Sequence, residues 1–227
     1  MQKWFAVNTI AGTIAIHSDI GSGGLKAGDF QKQLEKVRGS ALHISINSNG
    51  GDVTDGFAIY NMLARHSSRK VVTIEGIAAS MASVIAMVGD TIIMPQNALM
   101  MIHNPWGSIA GGADQIESFG GALKRMQANI VSAYTKRTKQ PADKIQAMMD
   151  RETWLTAAEA VELGFADKIE GGLDMAASLR DMDLRAFKRV PNIGAPQTLD
   201  DIQEAAWRNW NKTKCDNASV PREAGHE

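Results

Sequence analysis

The chain has 227 residues, 44% hydrophobic and 22% charged, which is ample apolar material for one sizeable core. A net charge of −1 and a pI near 6.5 exclude the basic footprint of a nucleic-acid or anionic-lipid binder. The one cysteine, Cys215, has no disulfide partner and no CxxC or Cys/His companion, so a cytoplasmic protein without metal or cofactor is expected.

Residues 5–21 read as a β-rich start, and residues 24–39 as a helix with Phe30, Leu34 and Val37 on one side. In LHISINS, Leu42, Ile44 and Ile46 alternate with His43, Ser45 and Asn47, the pattern of a half-buried strand. The turn NGGD (49–52) leads into a helix over 53–66. VVTIEG (71–76) is a strand, and SMASVIAMV (80–88) a short helix after a turn of small residues. TIIMP (91–95) and NALMMIH (97–103) read as two further strands. The apolar run Ile77–Val88 is well short of the roughly 20 residues that span a bilayer. The N-terminus also lacks the build of a secretory signal, so no membrane partner is expected.

From Asp114 to residue 138 a long helix is expected, with Asp114 and Glu117 as a capping box. Ile116, Phe119, Leu123, Met126, Ile130 and Tyr134 recur on one face. Pro141 opens another helix to residue 150, and TWLTAAEAVELGF (153–165) gives one more, stopped near Gly164. Strand–helix–strand succession with short links favours an α/β fold with largely parallel strands. The expected organisation is one domain over 1–190, then a linker and tail over 191–227 holding one amphipathic helix with Leu199, Ile202, Ala206 and Trp210 on a side.

Four places carry residues able to do chemistry. Ser80 lies where strand 71–76 hands over to a helix, among Gly76, Ala78 and Ala79, which leave room for a substrate. A serine there is a nucleophile if a base takes its proton and N–H donors await an oxyanion; it is equally a good helix N-cap. Ser83, three residues on, is read as packing. The Gly50–Gly51 turn can present a bare N–H, or can simply be a turn that needs positive φ. His103 ends a buried strand, a suitable place for a general base. Asp150 and Glu152 flank Arg151, where a carboxylate can orient an imidazole or merely favour a helix dipole.

Taken together, INSNGGDVTDGFAIYNML, GIAASMAS, LMMIHNPWG and ETWLTAAEAVELGFADKI resemble, in order, segments of the ClpP family of serine peptidases, over roughly residues 15–170. The wording DGFAIYNMLARH, MIHNPWG and ETWLTAAEAVELGFAD resembles the phage-type branch, the ClpP-like head maturation (prohead) proteases. The resemblance implies a ClpP/crotonase-like β–α superhelix with a long protruding helix for oligomer contacts, assembling into homo-oligomeric rings. It implies Ser80 as nucleophile, His103 as general base, and an oxyanion hole from the N–H groups of Gly51 and Met81. The family's acid is usually Asp; here Glu152 aligns with it, with Asp150 in reserve. Asn49 replaces the proline common before the double glycine. The short N-terminus lacks the family's axial-pore segment, so a peptidase working without an ATPase partner is expected.

The implied activity is hydrolysis of protein or peptide substrates, namely capsid or scaffold proteins during head maturation, in the host cytoplasm. Two other readings keep the fold. One is a crotonase-type acyl-CoA enzyme, which needs the two N–H groups but no Ser–His pair. The other is a non-enzymatic capsid or scaffold component.

Overall fold

The computed structural model describes residues 7–8, 12–37, 39–171 and 187–189. Contacts divide the chain into Met1–Pro191 and Asn192–Glu227, and every described residue belongs to the first unit. The amphipathic helix expected around Leu199–Trp210 lies outside the described residues.

The elements are β1 (Val7–Asn8), β2 (Thr13–Ile16), α1 (Ala27–Leu34), β3 (Ala41–Ser48), α2 (Val53–Arg65), β4 (Arg69–Ala79) and α3 (Met81–Ala86). Then follow β5 (Thr91–Met94), β6 (Leu99–Ile102), α4 (Ala113–Thr138), α5 (Ala142–Asp150), β7 (Thr153–Thr156), α6 (Ala157–Glu162) and β8 (Lys168–Ile169). The main sheet runs β1-β2-β3-β4-β5-β8, while β6 pairs with both β4 and β7. Most pairings are parallel, as α/β succession predicts; β1–β2 and β6–β7 are antiparallel.

Period-two alternation puts Ile14 and Ile16, Leu42, Ile44 and Ile46, Val72 and Ile74, and Ile92 and Met94 on one buried face. Phe30 and Leu34 of α1 and Ile59 and Leu63 of α2 join the same core. The other face shows His43, Ser45 and Asn47 of β3 at partial or full exposure.

One irregularity positions the site. Between the pairs Ile46↔Ile74 and Ser48↔Ala78, two steps along β3 face four along β4. The Asn47 side chain bridges the gap, its Oδ1 accepting from the Ile77 N–H at 3.1 Å. The extra residues bend β4, as bulges do, so its first half pairs with β5 and its last three residues with β6. The sheet therefore opens a second edge where β4 ends.

Two local expectations are corrected. TWLT is strand β7, not the start of a helix, because it completes a ladder with β6; the helix begins only after Thr156. There a capping box forms: the Thr156 hydroxyl accepts from the Glu159 N–H and the Glu159 carboxylate from the Thr156 N–H. Helix α4 is capped at Gly112, where the Gln115 side chain accepts the Gly112 N–H at 2.9 Å, not by Asp114 with Glu117. At 26 residues α4 is roughly 39 Å long. Its last turns bury Ile130, Ala133 and Tyr134, whereas Ile116 is 51% exposed and Trp106, in the preceding loop, 72%. No helix among the described residues is long and apolar enough to cross a membrane.

Candidate active site

The carboxyl ends of β4 and β6 lie side by side, with Ala79 opposite Met101. The first residues past the two strands, Ser80 and His103, meet there: Ser80 Oγ is 2.8 Å from His103 Nε2. The antiparallel partner of β6 sets Ile102 against Thr153, so one step further Glu152 comes level with His103. Three residues far apart in sequence are thus gathered by the register of β4, β6 and β7.

Ser80 holds φ 53° and ψ −126°, a region non-glycine residues enter at a cost of about 1–3 kcal/mol. The Ser80 N–H donates to the Met101 carbonyl at 2.9 Å, tying the turn to β6. Its hydroxyl makes no helix-capping bond, leaving it to His103. Glu152 too has positive φ, at 52°.

Beneath this turn Ser83 proves to be more than packing. Fully buried, its hydroxyl lies 2.6 Å from the Ser80 carbonyl oxygen, 3.0 Å from that of Met101 and 2.8 Å from the Tyr134 hydroxyl. It joins the Ser80 backbone to β6 and to α4. Burial pushes the Tyr134 phenol well up, against the smaller opposing pull of its bond to Ser83, so the hydroxyl stays protonated. The residues around Ser83 give no sequence signal for this; only the fold brings Tyr134 to it. Ser83→Ala should cost about 1–3 kcal/mol by stranding buried polar groups, and Tyr134→Phe about 1, measured by urea unfolding.

The Gly50–Gly51 turn lies against Ser80. The Gly50 carbonyl accepts from the Ile20 N–H at 2.7 Å, and the Asp52 N–H donates to the Ile20 carbonyl at 3.0 Å. In a parallel bridge the residue between such bonds points its own N–H the other way, and Gly51 is that residue. Gly50 has φ +88°, and a Cβ on it would stand 2.5 Å from the Ala79 carbonyl oxygen, 2.7 Å from the Met81 nitrogen and 2.8 Å from Ser80 Cβ. Met81 opens α3, so its N–H has no partner one turn back. Gly50→Ala must push the two turns apart. It should lower kcat by about 10²–10³, the cost of one lost oxyanion donor, with KM little changed in steady-state assays.

His103 is held below its ordinary pKa chiefly by burial; Glu152 raises it and Lys188 lowers it. Glu152 Oε1 accepts from the Trp154 Nε1–H at 3.4 Å and from the Arg189 N–H at 2.6 Å; among the described residues no hydrogen bond joins it to His103. Asp150 is occupied elsewhere, accepting from Asn104 Nδ2 at 2.8 Å and Gln146 Nε2 at 2.7 Å. A hydrogen-bonded serine–histidine pair beside two glycines, with a carboxylate acting on the imidazole, is an arrangement suited to acyl transfer.

Residues 32–172 match the family model described as Clp protease. Among curated proteins, the "ATP-dependent Clp protease proteolytic subunit 1" of Chlamydia pneumoniae is 34% identical over 139 residues, covering 59% of this chain and 72% of that protein. Its counterpart in Chlamydia trachomatis serovar D is 35% identical, covering 58% and 70%. The "ATP-dependent Clp protease proteolytic subunit" of Chlorella vulgaris is 36% identical, covering 56% and 65%.

Proposed function

The chain belongs to the Clp protease family, and from that premise we propose that it is a serine endopeptidase of the phage-type, prohead-processing kind. Its substrates are capsid or scaffold proteins, cut in the host cytoplasm during head maturation without an ATPase. The observation that carries the hydrolytic reading is the 2.8 Å contact between Ser80 Oγ and His103 Nε2.

Ser80 Oγ attacks the peptide carbonyl carbon as His103 Nε2 takes the hydroxyl proton. The N–H groups of Gly51 and Met81 receive the oxyanion. His103 then gives its proton to the departing amine, leaving an acyl ester on Ser80. Water, deprotonated by the same imidazole, releases the acid and restores the serine. Glu152 stabilises the imidazolium, which its raising effect on His103 supports. Burial keeps the resting imidazole neutral and ready to accept.

Rings form through α4 and its leading loop, where Trp106, Ile109 and Ile116 are exposed large apolar side chains. Exposed apolar surface of this kind suits burial against a second copy.

A fluorophosphonate probe with native mass spectrometry tests the reading. One label per chain is expected, concentrated in the ring; an assembled protein that takes no label would sink it. For the substrate, co-expression with capsid precursors should give cleavage without an added unfoldase, and intact precursors would remove the head-maturation role.

A further inference from the structure

Resting on that reading of Ser80, His103 and Glu152, we propose that the chain's own segment Phe187–Arg189 is a tethered peptide ligand of the catalytic centre. Each of its three residues acts on a group of the site. The Phe187 ring meets the His103 imidazole edge-on, with centroids 6.0 Å apart at 71°. It meets the Trp154 indole in the same manner, at 5.6 Å and 85°. The Arg189 backbone N–H donates to Glu152 Oε1 at 2.6 Å. Lys188 sets a positive charge against protonation of His103.

An aromatic side chain lodged between two rings, followed by a main-chain hydrogen bond, is how extended peptides are read: backbone for affinity, side-chain site for selection. Trp154 is built for the task. It stands on β7 two residues after Glu152, its Nε1–H on the same carboxylate oxygen that takes Arg189, so its indole and the acid form one receptor. The ligand class is therefore an extended peptide with an aromatic residue and, two positions on, a free N–H.

Seating the segment has two consequences. The Phe187 ring stands edge-on against the imidazole that must take the Ser80 proton, where an incoming substrate would have to displace it. Glu152 Oε1 spends itself on Arg189 while the triad needs it for His103. Because ligand and site share one chain, the segment competes at an effective concentration on the order of millimolar. A substrate enters only when the segment leaves, which raises KM without changing the chemistry of the open site.

Full-length Phe187→Ala tests this. Fluorophosphonate labelling of Ser80 should quicken roughly tenfold, as when a closed state holding nine-tenths of the molecules is removed. KM for a fluorogenic peptide should fall by a similar factor with kcat unchanged, a split that loss of general packing does not produce. The peptide acetyl-Ala-Phe-Lys-Arg-amide, added to the variant, should inhibit competitively, and acetyl-Ala-Ala-Lys-Arg-amide far less. Equal labelling and equal KM in parent and variant would overturn the proposal. Amide exchange gives a readout independent of catalysis: the Arg189 N–H should be protected in the full chain and released in Phe187→Ala. If no form of the protein takes label, the peptidase reading fails while exchange still decides the docking; free-peptide exchange at Arg189 in the parent overturns it.

Discussion

Ser80→Ala will lower kcat for peptide hydrolysis by about 10⁶, and His103→Ala by a comparable factor, with the double variant no worse than either. Non-additivity is expected because the two side chains share one proton across a single 2.8 Å contact; without the imidazole the hydroxyl is a poor nucleophile, and without the hydroxyl the imidazole has nothing to activate. Steady-state hydrolysis on matched assemblies checks this, and a Ser80→Ala protein keeping more than a hundredth of the activity would refute the assignment. Ser80→Gly separates chemistry from strain. It should be equally inactive yet more stable, since relieving φ 53°, ψ −126° returns about 1–3 kcal/mol against glycine's entropy cost of about 0.5–1. A net gain on the order of 1 kcal/mol in urea unfolding is expected, whereas Ser80→Ala keeps the strain and gains nothing.

Much of the architecture is legible in local pattern. Leu42, Ile44 and Ile46 announce a one-sided strand, and the apolar ends of β4 and β6 mark where Ser80 and His103 stand, because period-two burial is a property of a few adjacent residues. What local pattern does not carry is register. Nothing in IEGIAA tells that β4 has extra residues relative to β3, yet that bend is what gives β6 an edge to pair with and sets Ser80 beside His103. The same limit explains TWLT: its Thr and Trp residues suit a strand, but four residues before a helical run do not decide between the two, and the pairings with β6 do. The polar contacts are still less visible. Ser83 and Tyr134 are 51 positions apart, and Arg189 reaches Glu152 across 37; no periodicity links residues at such separations, so a buried hydroxyl pair and a docked segment emerge only from the folded chain.

Glu152→Gln should cut kcat/KM by about 10⁴, the effect of replacing a triad carboxylate with its amide, and should also move the acid limb of the pH profile. The direction of that movement follows from charge. Burial holds His103 below its ordinary value of 6.5, and Glu152 works against burial by favouring the imidazolium. Removing the negative charge leaves burial less opposed, so the folded pKa falls further. A general base acts in its neutral form, and activity is lost as pH drops through that pKa; the limb of kcat/KM therefore shifts to lower pH in the variant even as its plateau collapses. Asp150→Asn is the paired control. Its carboxylate is engaged by Asn104 and Gln146, so both plateau and limb should stay close to the parent's. A collapsed plateau with Asp150→Asn, and an unaltered one with Glu152→Gln, would move the acid to Asp150. A lowered plateau with an unmoved limb in Glu152→Gln would mean that the carboxylate shapes the site without acting on the imidazole's charge. Only the combined result, lower plateau and lower limb, makes Glu152 the group that stabilises His103 as it takes the proton of Ser80.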